Sequence, residues 1–286
     1  MSIYTSGSAA SRNRLKADCE QCFGLCCTAL PFSSSSDFAM DKPAGQPCSN
    51  LNDHFKCGIH SRLRQSGFKG CTVYDCFGAG QQVSQITFKG VDWREDALKA
   101  SLMFHVFPMM WQLHELLWYV TQAREMCSSS TDGLELEQML DKTEQLTLLG
   151  PEELAQINLP EHRAEVNTLL VKYSEQIRAE AASRFKISSR HNIKRGADLI
   201  GAKLNNADLR CANLRGVYFI ASDLRGADLR FADVIGADFR DADISGADLS
   251  DVLFLTQMQV NAAIGDKLTK LPPYFDTPDH WLTSTS

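Results

Sequence analysis

Several features are missing from this sequence, and each absence narrows what the protein can do. No stretch of its 286 residues is apolar for long enough to suggest a membrane span. The most apolar segment, 101–120, is interrupted by His105, Pro108, Gln112, His114 and Glu115, whereas a span needs about 20 largely unbroken apolar residues. The opening run MSIYTSGSAASRNRLKAD holds no apolar core, so no secretory signal is expected and a cytoplasmic location is. An excess of basic charge is missing too. The chain carries 29 Lys and Arg against 35 Asp and Glu, a formal charge of −6, and general nucleic-acid binding needs a basic face. No Ser-His-Asp order, paired-carboxylate arrangement or nucleotide fingerprint occurs in a usable context. The glycine-rich segment 67–80 lacks the Gly-Lys-Ser/Thr of a phosphate loop, so its glycines read as turns. Catalytic residues are therefore unassigned, and an enzyme is not the leading expectation.

What is present falls into four regimes. Residues 1–90 are rich in Cys, Gly, Ser and Pro and are expected to form a Cys-rich metal-binding domain. Residues 91–190 are rich in helix formers. Helices are expected over 93–126, interrupted near Pro108, and over 131–149 and 152–185, with Gly150-Pro151 and Pro160 as stops. Residues 191–256 repeat with a period of five, and 257–286 form a tail with a helix expected over 257–267.

Ten cysteines are many for a reducing compartment, where clustered thiols bind metal or do redox chemistry more often than they pair. Eight of them lie between Cys19 and Cys76. Cys127 and Cys211 stand alone and read as buried or incidental thiols. The spacing is Cys19-x2-Cys22-x3-Cys26-Cys27, followed by Cys48, Cys57, Cys71 and Cys76. A C-x2-C step lets two thiolates turn toward one ion, and Gly24 supplies a tight turn between Cys22 and Cys26. Adjacent Cys26 and Cys27 are expected to point apart, serving two ions or one ion and its surroundings. This run resembles the zinc- or iron-chelating family marked by a CxxCxxxCC signature, which Cys19, Cys22, Cys26 and Cys27 match. The resemblance implies that Cys48, Cys57, Cys71 and Cys76 complete the ligand set. Eight thiols suffice for two tetrahedral zinc sites, or for one cubane iron–sulfur cluster with four left over. His54 and His60, among the cysteines, and His105 and His114, on the apolar segment, read first as structural histidines.

Written in fives from Ala197, the third regime reads ADLIG AKLNN ADLRC ANLRG VYFIA SDLRG ADLRF ADVIG ADFRD ADISG ADLSD. The first position is Ala in nine of eleven units, the third is Leu, Val, Ile or Phe in all eleven, and Val252-Leu253-Phe254 reads as a degenerate twelfth. Strict register over this length points to a solenoid. The pattern resembles the pentapeptide-repeat family, A(D/N)LXX. That resemblance implies a right-handed quadrilateral β-helix in which four units make one coil and residues twenty apart stack. The expected inner columns are Leu199, Phe219, Phe239; Leu204, Leu224, Ile244; Leu209, Leu229, Leu249; and Leu214, Val234, Phe254. Under three coils spaced as neighbouring strands make a rod only about 13 Å long.

The tail resembles the C-terminal caps of other pentapeptide-repeat proteins, with Trp281 expected to pack, because an open solenoid end exposes core and strand edges. Some members of the family protect DNA gyrase by imitating acidic duplex DNA. Here 190–251 holds nine Lys or Arg and ten Asp, so such mimicry is a weak expectation, and the alternating charges read as a solvated face. The overall expectation is a multi-domain α+β protein: a zinc or iron–sulfur adaptor that binds a protein partner, with no membrane and no nucleic acid, and with self-association open. An iron–sulfur enzyme or redox protein, with its site between the Cys-rich and helical domains, is the alternative.

Overall fold

The computed structural model describes residues 12–127, 130–187 and 193–282. The chain divides into two compact units, residues 1–168 and 169–286.

The first unit is built around helix α1 (Ala97–Met126). Asp96 caps it, its carboxylate accepting the Leu98 and Lys99 amides. Met103, Val106, Phe107, Met110, Leu113, Leu116, Leu117, Val120 and Ala123 are buried, together with the polar His114, Thr121 and Gln122. These positions lie all round the helix, the pattern of an element enclosed on every side. The expected break at Pro108 does not occur. A proline inside a helix costs about 3 kcal/mol, and the burial of its flanking residues Phe107, Met110 and Leu113 outweighs it. Helix α2 (Ser130–Thr147) packs along α1, and the short helix α3 (Pro151–Leu154) closes the same core. Helix α4 (Leu159–Arg184) follows. The break between the two units falls within α4, so the expected helical block 91–190 contributes to both.

The Cys-rich segment has little regular structure. It contains single helical turns at Leu25–Thr28, Lys69–Val73 and Ala79–Gln81, and isolated antiparallel bridges Phe32–Lys42 and Leu51–Cys57. Leu25, Ala29, Ala79 and Val83 lie in the same core as α1, with Cys22, Cys26 and Cys76 packed against it.

In the second unit the repeats coil with the expected twenty-residue period. Parallel bridges run 198–218–238, 203–223–243, 208–228–248 and 213–233–253, giving four faces. No extended strand occurs among the described residues; each rung pairs through a single residue before the chain turns. This is the physical form of the expected β-helix. The fifth residue of the first ten units sits at positive φ, as Gly or as Asn206, Cys211, Ala221, Phe231 and Asp241; Asp251, which closes the eleventh, does not. The turns therefore leave only about two extended residues per face. The inner residues from Leu209 onward are buried, and Phe219 stacks with Phe239 at 5.3 Å between centroids. Leu253 and Phe254 occupy the second and third positions of a twelfth unit, as expected.

The aspartates at the second position do more than solvate a face. Asp198, Asp208, Asp223, Asp228, Asp233, Asp238, Asp243 and Asp248 each accept the backbone amide two residues on. Each side chain thus closes an Asx turn at a corner of the coil. The tail caps the stack. Helix α5 (Gln257–Ala262) places Gln259 so that its amide donates to Val234 O and Ala237 O, both at 2.8 Å. The expected helix over 257–267 ends early, because Ile264 and Lys270 add two further bridges to the ladder. Trp281 is buried on Gly265 and donates to Ala263 O.

Candidate metal centre

All eight cysteines of the N-terminal segment are described, and all are free thiols. Cys19 is exposed, Cys48 is buried, and Cys22, Cys26, Cys27, Cys57, Cys71 and Cys76 are half-buried. Cys26 Sγ and Cys27 Sγ lie 3.8 Å apart. Cys22 and Cys76 both border Gly80: a Cβ there would lie 2.7 Å from Cys22 Sγ and 3.7 Å from Cys76 Sγ. A hydrogen at this position leaves the room between the two thiols.

Backbone amides fold back onto the sulfurs. Cys22 accepts from the amides of Gly24 and Leu25 and from the Ser84 hydroxyl. Cys76 accepts from the amides of Gly78 and Gly80, and Cys57 from that of Ile59. Such bonds stabilise a sulfur that carries negative charge. Glycine is required at two of these turns: Gly24 and Gly78 adopt φ of 67° and 79°, where a side chain would be strained.

Three side chains from 93–118 hold the loops in place. Trp93 Nε1 donates to Phe23 O at 2.8 Å, and Trp111 Nε1 donates to Asp75 O at 2.9 Å. His114 Nδ1 lies 2.7 Å from Phe77 O. A carbonyl only accepts, so the neutral ring is protonated on Nδ1. Burial holds the His114 pKa down at about 4. His114 is thus a positioning residue in the core. His54, His60 and His105 are exposed.

Burial dominates the electrostatics of these thiols. Burial pushes Cys71 and Cys76 up to about 12, with neighbouring thiols adding to the effect. Cys22, Cys19 and Cys57 are raised, also by burial first. Cys27 runs the other way: its sulfur accepts a hydrogen bond from Cys26, and Lys42 adds positive charge, so its pKa is lowered. Lys42 carries no signal in the sequence. Its ammonium is buried beside Cys27 and Cys48 and donates to Thr28 O, Pro43 O and Gln46 O at 3.0–3.1 Å. Tyr74 was equally silent. Its hydroxyl is buried beside Cys22, Cys26 and Cys76 and has no hydrogen-bond partner among the described residues.

Among the described residues no three His, Cys, Asp or Glu side chains already converge closely enough to hold one ion. The fit to a metal lies instead in the donor chemistry. Eight free thiols, amides turned onto sulfur, a buried hydroxyl donor without a partner and a glycine between two sulfurs suit a thiophilic cation.

The two remaining cysteines lie apart. Cys211 is in the core of the second unit with Ala181 and Ala182, and Cys127 follows the end of α1. No helix among the described residues is long and apolar enough to cross a membrane.

A family model agrees with the repeat architecture. Residues 195–230 and 222–254 match the family model for pentapeptide repeats, with eight copies, so the second unit is a pentapeptide-repeat scaffold. The whole chain belongs to one family with YybG of Bacillus subtilis (strain 168), a protein described as uncharacterized. The two are 55% identical over 267 residues, which is 93% of this chain and 95% of that one. Among solved structures, a pentapeptide repeat protein from the Arabidopsis thaliana thylakoid lumen aligns with 23% identity. The alignment spans 32% of this chain and 68% of that one, with a TM-score of 0.16.

Proposed function

We propose that this protein is a cytoplasmic metal-binding adaptor. In this reading Cys19, Cys22, Cys26, Cys27, Cys48, Cys57, Cys71 and Cys76 hold zinc or an iron–sulfur cluster. A right-handed quadrilateral β-helix presents a surface to a protein partner. The observation that carries the metal reading is the set of amides folded onto Cys22, Cys57 and Cys76, beside thiols that burial otherwise keeps protonated. A bound cation supplies the positive charge that lets these thiols ionise and cross-links loops that have almost no regular structure. Trp93, Trp111 and His114 then hold the loop backbones at Phe23, Asp75 and Phe77. The adaptor role rests on the repeats, whose coil face carries paired Asp and Arg and no constellation of catalytic residues among those described.

Elemental analysis of anaerobically purified full-length protein, with a visible absorption spectrum, tests the metal reading. Stoichiometric zinc without colour, or iron with broad visible absorption, is the expected result. Trace amounts of both metals overturn it.

A further inference from the structure

We infer that the eight thiols form two separate four-thiol centres for tetrahedral divalent cations of the zinc class. Cys19, Cys22, Cys26 and Cys76 form one centre, and Cys27, Cys48, Cys57 and Cys71 form the other. This rests on the metal-binding reading above and adds which thiols act together.

The division runs between two consecutive residues. Cys26 and Cys27 sit in the single turn Leu25–Thr28, where neighbouring side chains project about 100° apart. Cys26 packs against the apolar core with Cys22 and Cys76. The Cys27 carbonyl instead accepts the Cys48 amide at 2.9 Å, which draws its strand of chain toward the second set.

Each set is gathered by its own local structure. In the first, Cys22 and Cys76 flank Gly80, and Cys22 and Cys76 are the thiol neighbours of Cys26 besides Cys27. Cys19 joins them through its C-x2-C spacing and lies in the turn Cys19–Gln21, with Cys22 its first thiol neighbour; Cys27, next to Cys26 at the division, also lies near Cys19 and Cys22. In the second, Leu51 donates to Cys48 O and bridges to Cys57, closing a loop that brings Cys57 beside Cys48. Cys71 arrives on the turn Lys69–Val73, and its thiol neighbours are Cys27, Cys48 and Cys57, with none from the first set.

Each set also has its own supporting donor. The partnerless hydroxyl of Tyr74 lies beside Cys22, Cys26 and Cys76, and the buried ammonium of Lys42 lies beside Cys48 and Cys27 first and Cys26 last, at the edge of the second set. Four thiolates around a dication leave a net charge of roughly −2, which a buried hydroxyl donor or an ammonium offsets. A single cubane would use four thiols and leave the other four, with their own donor, without a task.

The test loads full-length protein with isotopically enriched cadmium-113 under anaerobic conditions and counts ions and resonances. Two ions per chain and two resonances in the four-thiolate region are expected. Cys71→Ser should disturb one resonance and Cys76→Ser the other. One ion per chain, or a single substitution that moves both resonances equally, overturns the division while leaving metal binding intact. No bound cadmium overturns both readings. Because serine variants can misfold, the unsubstituted protein provides a second test. After partial chelation and alkylation, intact-chain fragmentation of molecules carrying four labels should place all four on one set. Labels mixed across the sets overturn the division.

Discussion

Gly80 and His114 show how closely the cysteine loops are fitted at the level of single residues. A Cβ at Gly80 would sit 2.7 Å from Cys22 Sγ, closer than a carbon and a sulfur can pack. Gly80→Ala should therefore cost on the order of 1–3 kcal/mol, the usual range for an overpacked core. Denaturant unfolding followed by tryptophan fluorescence measures this, since three of the four tryptophans lie in the first unit. His114 makes the first unit acid-sensitive. Its pKa is about 4 when folded, below an ordinary value of 6.5. Between these values the unfolded chain binds a proton that the folded chain refuses. Stability is unaffected above pH 6.5 and falls as pH drops toward 4, by about 3 kcal/mol in all. His114→Gln should flatten that slope, measured as unfolding free energy at pH 7 and pH 4.5; an unchanged slope would count against the assignment. The clustering of the eight cysteines is visible without a structure. The roles of Lys42, Tyr74 and Gly80 were hidden, because each depends on contacts across the fold and leaves no local pattern.

Among the elements, the repeat and the long helix differ in how well sequence described them. A five-residue period specifies each inner column directly, so Phe219 over Phe239 and the twelfth unit at Leu253–Phe254 were readable. The same sequence hid the work of the aspartates, because a side chain that closes its own turn looks like any surface charge. Asp233 is the exception within the series. It is fully buried, accepts from Ser174 Oγ at 2.5 Å and Arg215 Nη1 at 2.9 Å, and joins α4 to the coil. Arg178 extends this network, donating to Ser174 Oγ and Cys211 O. Asp233→Ala removes the buried carboxylate that pairs with the Arg215 guanidinium and should cost about 3–5 kcal/mol. Asp238→Ala removes a turn bond and a half-exposed ion pair with Arg240, and should cost about 1 kcal/mol. Thermal unfolding of the two variants should rank them in that order, and equal losses would contradict the account of the network. Helix α1 was legible as a helix but not in its continuity, since propensity at Pro108 is outweighed by packing that lies far away in sequence.

On the scale of the whole molecule, the chain joins a unit whose fold sequence describes well to one whose contents it describes better than their arrangement. The repeat unit carries its own stabilisation, with Ile264 and Lys270 continuing the ladder and Trp281 sealing the end. The Cys-rich loops have few backbone bridges of their own and lean on α1 and its neighbours. Metal removal should therefore lower the stability of the first unit and leave the second nearly unchanged. Hydrogen exchange of full-length protein with and without chelator reads this directly, with protection lost between residues 19 and 88 and retained in the repeats. The most direct measurement of the central claim is a count of reactive thiols in native full-length protein before and after a strong chelator. If the eight cysteines hold metal, they stay protected until the chelator is added and then become reactive. If all eight react at the same rate with and without chelator, they are ordinary thiols and the account fails.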